Sequence, residues 1–486
     1  MLIAAGVLYG ISCAPGTVWQ DSGLIQYRIW HNDIEGRLGL ALSHPLYYLV
    51  GIAAKSIPLG EFGHRVNCLS ALFGAVAVAN LYLLVRLWLG RAFPAVIAAI
   101  TLGLSHTFWW HASIAETYTL WTALLLVELI CLLQYTRTRR AGFLYLLGLL
   151  NGMAVAVHML GSIPLACYVV FVAILLVRKA IRPRDAAAIA LLWIVGALPY
   201  EYLIARDIVQ GGDLLGALAS AEFGNRWRAD VLNAMLSWQM AGENILLIGL
   251  NFPTPNLLLL LAGCYVLRRV KPAAFRNVLL AMGAMFLLFA FRYTVPDRYA
   301  FFIPFYCLVA AGIGLGAYEV VSRVRHSFAT CVLLVFSVLP VGVYAIAPHL
   351  AQRANLRIGT RQDIPYRNGY EYFLRPWKTG YMGAERFATE ALQGVEQDAI
   401  IWADITTVPP LLYVQEVKGI RPDVHIVSGT ASAEGVPPLN EQTIDTVLAE
   451  RPIYVVSRTP GYCPAFVLAR YSLAPAGVLW RITERT

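Results

Sequence analysis

Long apolar stretches alternate with short polar loops along residues 1–347. A helix needs about 20 mostly apolar residues to cross the hydrocarbon core of a bilayer. The pattern predicts about eleven spans, at residues 2–17, 66–88, 93–110, 117–135, 142–158, 163–177, 186–205, 244–267, 277–292, 299–321 and 329–347. The first stretch lacks a basic region and a small-residue cleavage site, so we expect a retained anchor. The chain is therefore predicted to be an α-helical polytopic membrane protein.

Basic residues gather in alternate loops between these spans. The clusters are Arg86 and Arg91; Arg137, Arg139 and Arg140; residues 178–184; residues 268–276; and Arg323 and Arg325. The positive-inside rule assigns such loops to the cytoplasm. The other loops are then outside, and they include residues 18–65, the loops around Glu116 and His158, and everything after residue 348.

The stretch 44–60, "HPLYYLVGIAAKSIPLG", decides where the first loop lies. It is apolar enough to be a span, but it is short, contains Lys55 and is bounded by Pro45 and Pro58. Apolar stretches of that length more often lie at the membrane interface. We therefore expect a juxtamembrane helix on the outer surface; if 44–60 crossed the membrane, Asp21 would be cytoplasmic.

The C-terminal part, 349–486, has a different pattern. Predicted helices ("AERFATEALQGV", "PPLLYVQEVKG", "NEQTIDTVLAE") alternate with predicted strands ("AIIWA", "VHIVSG", "IYVVSR"). Such alternation predicts a small α/β domain with a mainly parallel sheet. No G-x-G-x-x-G turn supports dinucleotide binding. We predict two domains: a membrane domain, 1–348, whose first outer loop holds juxtamembrane helices at 18–65, and an extracytoplasmic domain, 349–486.

Composition narrows the class of protein. The chain is 58% hydrophobic and 14% charged, whereas soluble domains carry about a quarter charged residues. The net charge of +9 is explained by the loop clusters, so we expect no nucleic-acid partner. Seven of the eight cysteines lie in or beside apolar runs. Cys463 has no partner in the polar tail, and no C-x-x-C spacing predicts a metal site.

Two carboxylates are candidates for catalysis. Asp21, in "WQDSG", follows the first apolar run, and Glu116 lies in the outer loop "TFWWHASIAETYTL". Asp21 or Ser22 could simply cap the helix "GLIQYRIW", and Glu116 could be a helix-start carboxylate favoured by the dipole. Alternatively, two carboxylates from separate outer loops converge on one cavity. The run "FWW" is typical of an interfacial aromatic belt.

Further charged and polar residues lie on the predicted outer side. Arg65, Arg226 and Arg298 are candidates for binding a phosphate, which a guanidinium fork matches well. Alternatively, Arg65 reaches lipid headgroups, and Arg298 forms a local salt bridge with Asp297. We count His44, His158 and Asp297 as candidate substrate-binding residues, although a lone histidine at a helix end is more often structural.

The order of several short motifs resembles a known family. The motifs are "WQDSG", "HP" in the same loop, "RVNCLSALFGA", "TFWW…AETYTL" and "AIIWADITTVPPLLYVQEVKGIRPDV". In this order they resemble the transmembrane protein 260-type protein O-mannosyltransferases and their bacterial relatives, within the glycosyltransferase C superfamily. Leu24 and "HPLYYL" depart from the usual family pattern.

The resemblance implies a transferase that uses a polyprenyl-phosphate-linked sugar on the non-cytoplasmic side. Asp21 matches the family's catalytic first-loop aspartate, and Arg65 is the nearest match to an arginine that contacts donor phosphate. Mannose as the sugar, protein Ser/Thr or a glycan as the acceptor, and a bacterial inner membrane are the resulting expectations, with no cofactor and no metal. Two other readings stay open: a transporter or flippase of lipid-linked glycans, and a membrane anchor whose tail is a binding module.

Overall fold

The computed structural model describes residues 1–58, 60–295, 297–324, 326–359, 361, 363–429 and 436–485. Helices build the membrane domain. Their bounds are α1 Leu2–Ser12, α2 Gln20–Trp30, α3 Pro45–Lys55, α4 Phe62–Leu89, α5 Ala92–Gly103, α6 His106–Ala112, α7 Tyr118–Thr138, α8 Gly142–Val157, α9 Ser162–Val177, α10 Pro183–Gly211, α11 Leu214–Phe223, α12 Arg228–Val231, α13 Trp238–Asn251, α14 Leu259–Leu267, α15 Ala273–Arg292, α16 Ile303–Arg323 and α17 His326–Arg353.

Within the described ranges, seven helices are long and apolar enough to cross a membrane, or up to nine spans if each of two bent helix pairs counts as one. The other two predicted spans, 2–17 and 142–158, correspond to the shorter apolar helices α1 and α8. Helix α1 ends at Ser12 because Cys13 is extended and Pro15 disfavours helical backbone at the residue before it. The helical membrane fold is confirmed, and the count of eleven stays a prediction.

Two predicted spans are broken in the structure. The span at 93–110 consists of α5 and α6, which bend by 69° at Leu104 and Ser105. The span at 244–267 bends by 114° between α13 and the helical segment that starts at Pro255. Pro253 and Pro255 lie at this second break, where each removes a backbone donor. Because of the first break, α6 runs into the packed region next to the C-terminal domain.

Three of the basic loops meet at one end of the helix bundle. Arg137 donates to the carbonyl oxygens of Leu87 and Trp88, at 2.6 and 2.9 Å. The Trp88 ring contacts Phe275, which lies in the basic cluster at residues 268–276, with ring centroids 4.9 Å apart. Arg325 lies outside the described residues. The clustering agrees with the predicted topology, and the cytoplasmic assignment of this end stays a prediction.

Helix α3 occupies the stretch that could have been a span. It has 11 residues, and a helix of that length rises about 16 Å, half the hydrocarbon thickness. Its last residue, Lys55, donates to Trp30 O at 2.9 Å and to Asn32 Oδ1 at 2.6 Å, so α3 is tied to the end of α2. The helix is too short to cross a membrane, and its position on the outer surface stays a prediction.

The C-terminal part is a small α/β domain, as predicted. Its elements are α18 Gly369–Leu374, α19 Gly383–Gln393, β1 Ile400–Ala403, α20 Val408–Leu412, β2 His425–Ser428, α21 Ile444–Glu450, β3 Ile453–Val455, α22 Ala465–Arg470, β4 Tyr471–Ala476 and β5 Leu479–Arg485. The sheet order is β2-β1-β3-β5-β4. The three predicted strands pair in parallel, and the antiparallel hairpin β4–β5 was not predicted. Helix α17 continues to Arg353, past the boundary placed at 348.

The C-terminal domain shares a buried core with the first outer loop. Trp19 and Ile25 belong to the same apolar cluster as Phe387, Leu411 and Tyr413. The loop that carries Asp21 is therefore packed between the helix bundle and the C-terminal domain.

Candidate functional site

Asp21 lies in the first turn of α2 but does not cap it. The N-cap residue is Trp19, and no side chain makes a capping hydrogen bond. The preceding residue, Gln20, has a φ of 55°, a left-handed conformation that non-glycine residues rarely adopt. The capping interpretation of Asp21 and Ser22 is therefore wrong, and the carboxylate is free for another role.

The Asp21 carboxylate is open to solvent and nevertheless surrounded by protein. Its side chain is exposed, while enclosure by protein atoms raises the pKa of Asp21 above the usual aspartate value. Both observations fit a group on the wall of a recess that water can enter. In the part of the chain that the structure describes, the carboxylate has no hydrogen-bond or ion-pair partner.

Glu116 and Asp297 lie close to Asp21. Ser22 Oγ donates to Glu116 Oε1 at 3.5 Å, which brings the Glu116 loop to the first turn of α2. Burial and then the charge of Asp21 raise the pKa of Glu116 well above its usual value. The same two causes raise the pKa of Asp297 to about 7. We call these three carboxylates, which come from three separate loops, the acidic site.

A buried amide pair fixes two of the loops that carry the acidic site. Asn67 Nδ2 donates to Gly16 O at 3.0 Å, and Asn67 Oδ1 accepts from Ala115 N at 2.9 Å. Gln26 Nε2 donates to the same Oδ1 at 2.9 Å. Both amides are fully buried, where an unpaired polar group would be costly. This network, built on α2 and α4, holds the first and second outer loops in register.

Ser70 binds the backbone of Glu116 on both sides. Its hydroxyl accepts from Glu116 N at 2.9 Å and donates to Glu116 O at 3.1 Å. The hydroxyl of Tyr47 in α3 lies 3.1 Å from Ser70 Oγ. Helices α3 and α4 therefore position Glu116 through its backbone and leave its carboxyl group free to face Ser22.

His44 and His158 come together as a stacked pair. His44 Nδ1 lies 2.9 Å from Val157 O, and His158 Nδ1 accepts from Leu160 N at 3.1 Å. These partners assign the proton to Nδ1 in His44 and to Nε2 in His158. Burial lowers the pKa of His44 to about 4, with a further contribution from Arg28, and burial lowers the pKa of His158 well below its usual value. Both rings are neutral at pH 7.

Among the residues that the structure describes, none of the three predicted phosphate-binding arginines is paired with a carboxylate of the acidic site. Arg65 Nη1 donates to Lys55 O at 3.1 Å, at the end of α3. Arg298 pairs with Glu243 of α13 instead of its neighbour Asp297. Arg226 is exposed, and among the residues that the structure describes it has no hydrogen-bond partner.

Sequence reasoning missed Arg28. It is 7% exposed, donates to Tyr48 OH at 2.8 Å and approaches Asp33 at 3.3 Å. It lies seven residues after Asp21, so both side chains project from one face of α2. That spacing was the available signal, because it puts a cation on the same helix face as the acid, two turns or about 10.5 Å further along the helix.

Sequence reasoning also missed the contribution of the C-terminal domain. Tyr372 is 2% exposed and packs on Trp110, with ring centroids 5.7 Å apart. Burial is the main cause that raises its pKa, and the charges of Glu116 and Asp21 raise it further. Tyr372 therefore lies beside the acidic site. The "FWW" run is buried here, and the interpretation as a lipid-facing belt is wrong.

Within the described ranges, no three His, Cys, Asp or Glu side chains lie close enough to hold a metal ion. The acidic site is thus not arranged as a ready-made metal centre. A mechanism without a metal stays a prediction.

Comparison with known proteins shows what this chain is similar to. Residues 41–182 match the family described as "Protein O-mannosyl-transferase TMEM260 N-terminal domain". ArnT from Cupriavidus metallidurans bound to undecaprenyl phosphate superposes with a TM-score of 0.61 at 14% identity, covering 99% of this chain and 97% of that chain. Its apo state gives 0.62 at 13%, covering 99% and 96%. No curated protein matches the sequence.

These likenesses confirm two predictions. The helical membrane fold followed by a small α/β domain is the fold of the solved ArnT structures. The resemblance to the transmembrane protein 260-type family is confirmed over residues 41–182.

Proposed function

We propose that this protein moves a sugar, with mannose the best candidate, from a polyprenyl-phosphate donor to a hydroxyl group of an acceptor, preferably a protein serine or threonine. The observation that carries the proposal is the state of Asp21. Its carboxylate is open to solvent, has no partner in the described part of the chain and has a raised pKa. A general base needs that combination of access and basicity.

The reaction needs one base and no strong acid. Asp21 takes the proton of the acceptor hydroxyl while the hydroxyl oxygen attacks the anomeric carbon of the donor sugar. The bond between that carbon and the phosphate oxygen breaks, and its electron pair leaves with the polyprenyl phosphate. One displacement inverts the anomeric carbon. The phosphate is already a good leaving group, so the remaining task is to stabilise its charge.

The other members of the site have separate tasks. Glu116, whose pKa is raised well above its usual value, keeps its proton to higher pH than an ordinary glutamate and in that form donates a hydrogen bond. Asp297 and the stacked pair of His44 and His158 contact the sugar. Arg65, Arg226 and Arg298 remain the proposed cations for the phosphate, although Arg298 must first leave Glu243.

The lipid tail of the donor explains why a membrane domain carries the site. The acidic site lies at the opposite end of the bundle from the basic loops, where the positive-inside rule puts the non-cytoplasmic side. The solved ArnT binds undecaprenyl phosphate, and a donor of that chemistry reaches the site with its tail in lipid. We place the protein in a bacterial inner membrane with its site on the periplasmic side.

The two broken spans would suit a transporter of lipid-linked glycans, because broken helices often line transport sites. In such transporters the breaks surround a binding site near the middle of the membrane. Here the carboxylates lie in loops at one end of the bundle, next to a C-terminal domain. The family match also favours the transferase.

The proposal is tested by transfer of a radiolabelled sugar from polyprenyl phosphate to membrane proteins. Wild type should label the acceptor, and Asp21→Asn should reduce kcat by at least about 100-fold, the usual contribution of a general base. Asp185→Asn makes the same change at the basic end, where Asp185 accepts from Arg182 N at 2.9 Å, and should retain activity. Full transfer by Asp21→Asn would contradict the assigned role.

A further inference from the structure

The two residues before Asp21 are bound by the C-terminal domain, far away in the sequence. Trp19 Nε1 donates to Tyr381 OH at 2.7 Å, and Gln20 N donates to Thr406 O at 3.3 Å. The Trp19 ring also packs on Phe387 of α19, with centroids 5.6 Å apart. Side chain and backbone of this short segment are thus both held from the same domain.

The backbone at Gln20 requires such support. Its φ of 55° lies in a region that L-residues with side chains disfavour, and such conformations persist only where the surroundings determine them. The direction in which the Asp21 side chain leaves the backbone depends on this turn. The hydrogen bond from Gln20 N to Thr406 O therefore bears directly on where the carboxylate points.

Gly23, the glycine of "WQDSG", also shows that the C-terminal domain lies close to the first turn of α2. A Cβ at Gly23 would collide with the carbonyl oxygen of Val18 and would lie 3.0 Å from the Cβ of Pro409 in α20. Only glycine lets the first turn of α2 lie this close to α20. The C-terminal domain thus contacts the segment on both sides of Asp21.

We infer that the C-terminal domain is a positioning element of the active site and that Tyr381 is a positioning residue, which holds the Asp21 carboxylate through Trp19. The Asp21 side chain has no hydrogen bond or ion pair to any residue that the structure describes, so its backbone must set its orientation. The inference rests on the proposed function of Asp21 as the base. In this inference the C-terminal domain contributes to catalysis by positioning Asp21, without a catalytic site within the domain itself.

The test compares two tyrosine variants of the full-length protein. Tyr381→Phe removes the acceptor of the Trp19 bond. Tyr471→Phe is the matched control: Tyr381 is half-buried and Tyr471 is buried, and the Tyr471 hydroxyl donates to Asp445 Oδ1 at 2.5 Å, within the same domain and away from α2. Misplacement of a catalytic group lowers kcat. We expect Tyr381→Phe to lose about tenfold in kcat with donor KM changed by less than about twofold, and Tyr471→Phe to keep kcat.

A second measurement does not depend on activity. Water-soluble carbodiimide with an amine labels accessible carboxyl groups, and peptide mass spectrometry gives the labelling rate at Asp21. A change in this rate of twofold or more in Tyr381→Phe, but not in Tyr471→Phe, supports the inference even if wild type transfers no sugar, a result that would defeat only the proposed function. Equal effects in the two variants, or an unchanged rate at Asp21 with wild-type kcat, would overturn it.

The pair of Trp19 and Tyr381 can also be tested as a unit. Trp19→Phe removes the donor of the same bond and replaces Tyr381→Phe if that variant does not fold. If the effect passes through this bond, the double variant should lose no more kcat than the worse single variant. Multiplicative losses would mean that the two residues act independently, against the inference.

Discussion

The imidazole rings of His44 and His158 stack with their centroids 4.9 Å apart and their planes inclined by 27°. The two residues come from different outer loops, and each is a predicted substrate contact. The Tyr118 ring lies 5.1 Å from His158, and Tyr118 follows the Glu116 loop. The stacked pair therefore borders the acidic site and presents an acceptor nitrogen from His44 and a donor nitrogen from His158.

His44 combines a ring that we propose to contact the substrate with an unusual backbone conformation. Its φ is 52°, a left-handed conformation that asparagine adopts more readily than alanine. We expect His44→Ala to lower the free energy of unfolding by about 1 kcal/mol more than His44→Asn does, as measured by thermal unfolding in detergent. Both variants should raise donor KM, because both lose the ring. If donor KM increased in His44→Ala but not in His44→Asn, the backbone conformation and not the imidazole would matter for donor binding.

Asp297 should not set the pH at which activity begins. Burial raises the pKa of Asp21, whereas burial and then the charge of Asp21 raise the pKa of Asp297 to about 7. Asp21 is therefore ionised first, and Asp297 is still protonated and uncharged while Asp21 titrates. The base must be ionised, so kcat falls as pH falls through the raised pKa of Asp21, and Asp297→Asn should leave this acid limb in place. The pH profile of kcat at saturating donor is the measurement, and a limb that moves to lower pH would mean that Asp297 is already charged when Asp21 titrates.

Glu116 should behave differently from Asp21. Burial is the main cause that raises the pKa of Glu116 well above its usual value. The shift favours the protonated form, which a neutral amide resembles. We expect Glu116→Gln to keep most of kcat, whereas Glu116→Ala loses about tenfold or more because the hydrogen-bond donor is gone. If Glu116→Gln were as inactive as Asp21→Asn, Glu116 would be the better candidate for the base.

The sequence predicts the elements whose signal is local. Membrane helices follow from uninterrupted apolar runs, and the break near Pro253 was visible as "NFPTPN". The bend at Leu104 and Ser105 carries no proline and was missed. The hairpin β4–β5 turns at Gly477, whose φ of 62° suits a tight turn, but its strands lack the long apolar runs of β1 and β3.

In the candidate site, too, the sequence predicts the residues with a local signal and misses the contacts that the tertiary fold creates. Asp21 and Glu116 were found because carboxylates at the ends of apolar runs stand out. The pairing of Arg298 with Glu243 of α13 could not be predicted, because a long arginine side chain follows whichever acid the tertiary fold brings near it. The bond from Trp19 to Tyr381 joins two domains, and nothing local in either segment indicates it.

Asn67 should be worth more to stability than an ordinary helix asparagine. Asn67→Ala leaves the buried Ala115 amide without its acceptor, at about 1–3 kcal/mol for an unsatisfied group. It also removes one hydrogen bond each from Ala14 O and Gly16 O. These two oxygens keep their contacts with His64 Nδ1 and Gln26 Nε2, respectively. Asn80→Ala is the control in the same helix, because the half-buried Asn80 makes one bond, to Ala123 O at 3.1 Å. Thermal unfolding in detergent should show the larger loss for Asn67→Ala. Equal losses would mean that the amide network is not what holds the outer loops.

The orientation of the whole site can be tested by cysteine labelling. Arg140 and Arg226 are both exposed, the first in a basic loop and the second in a loop on the side of the acidic site. In a background without native cysteines, we expect Arg226→Cys to react with a membrane-impermeant maleimide added to intact spheroplasts, and Arg140→Cys to react only after permeabilisation. This result follows if basic loops stay in the cytoplasm. The reverse pattern would put Asp21 in the cytoplasm, where a periplasmic transferase could not use it, even though every contact around the carboxylate remained the same.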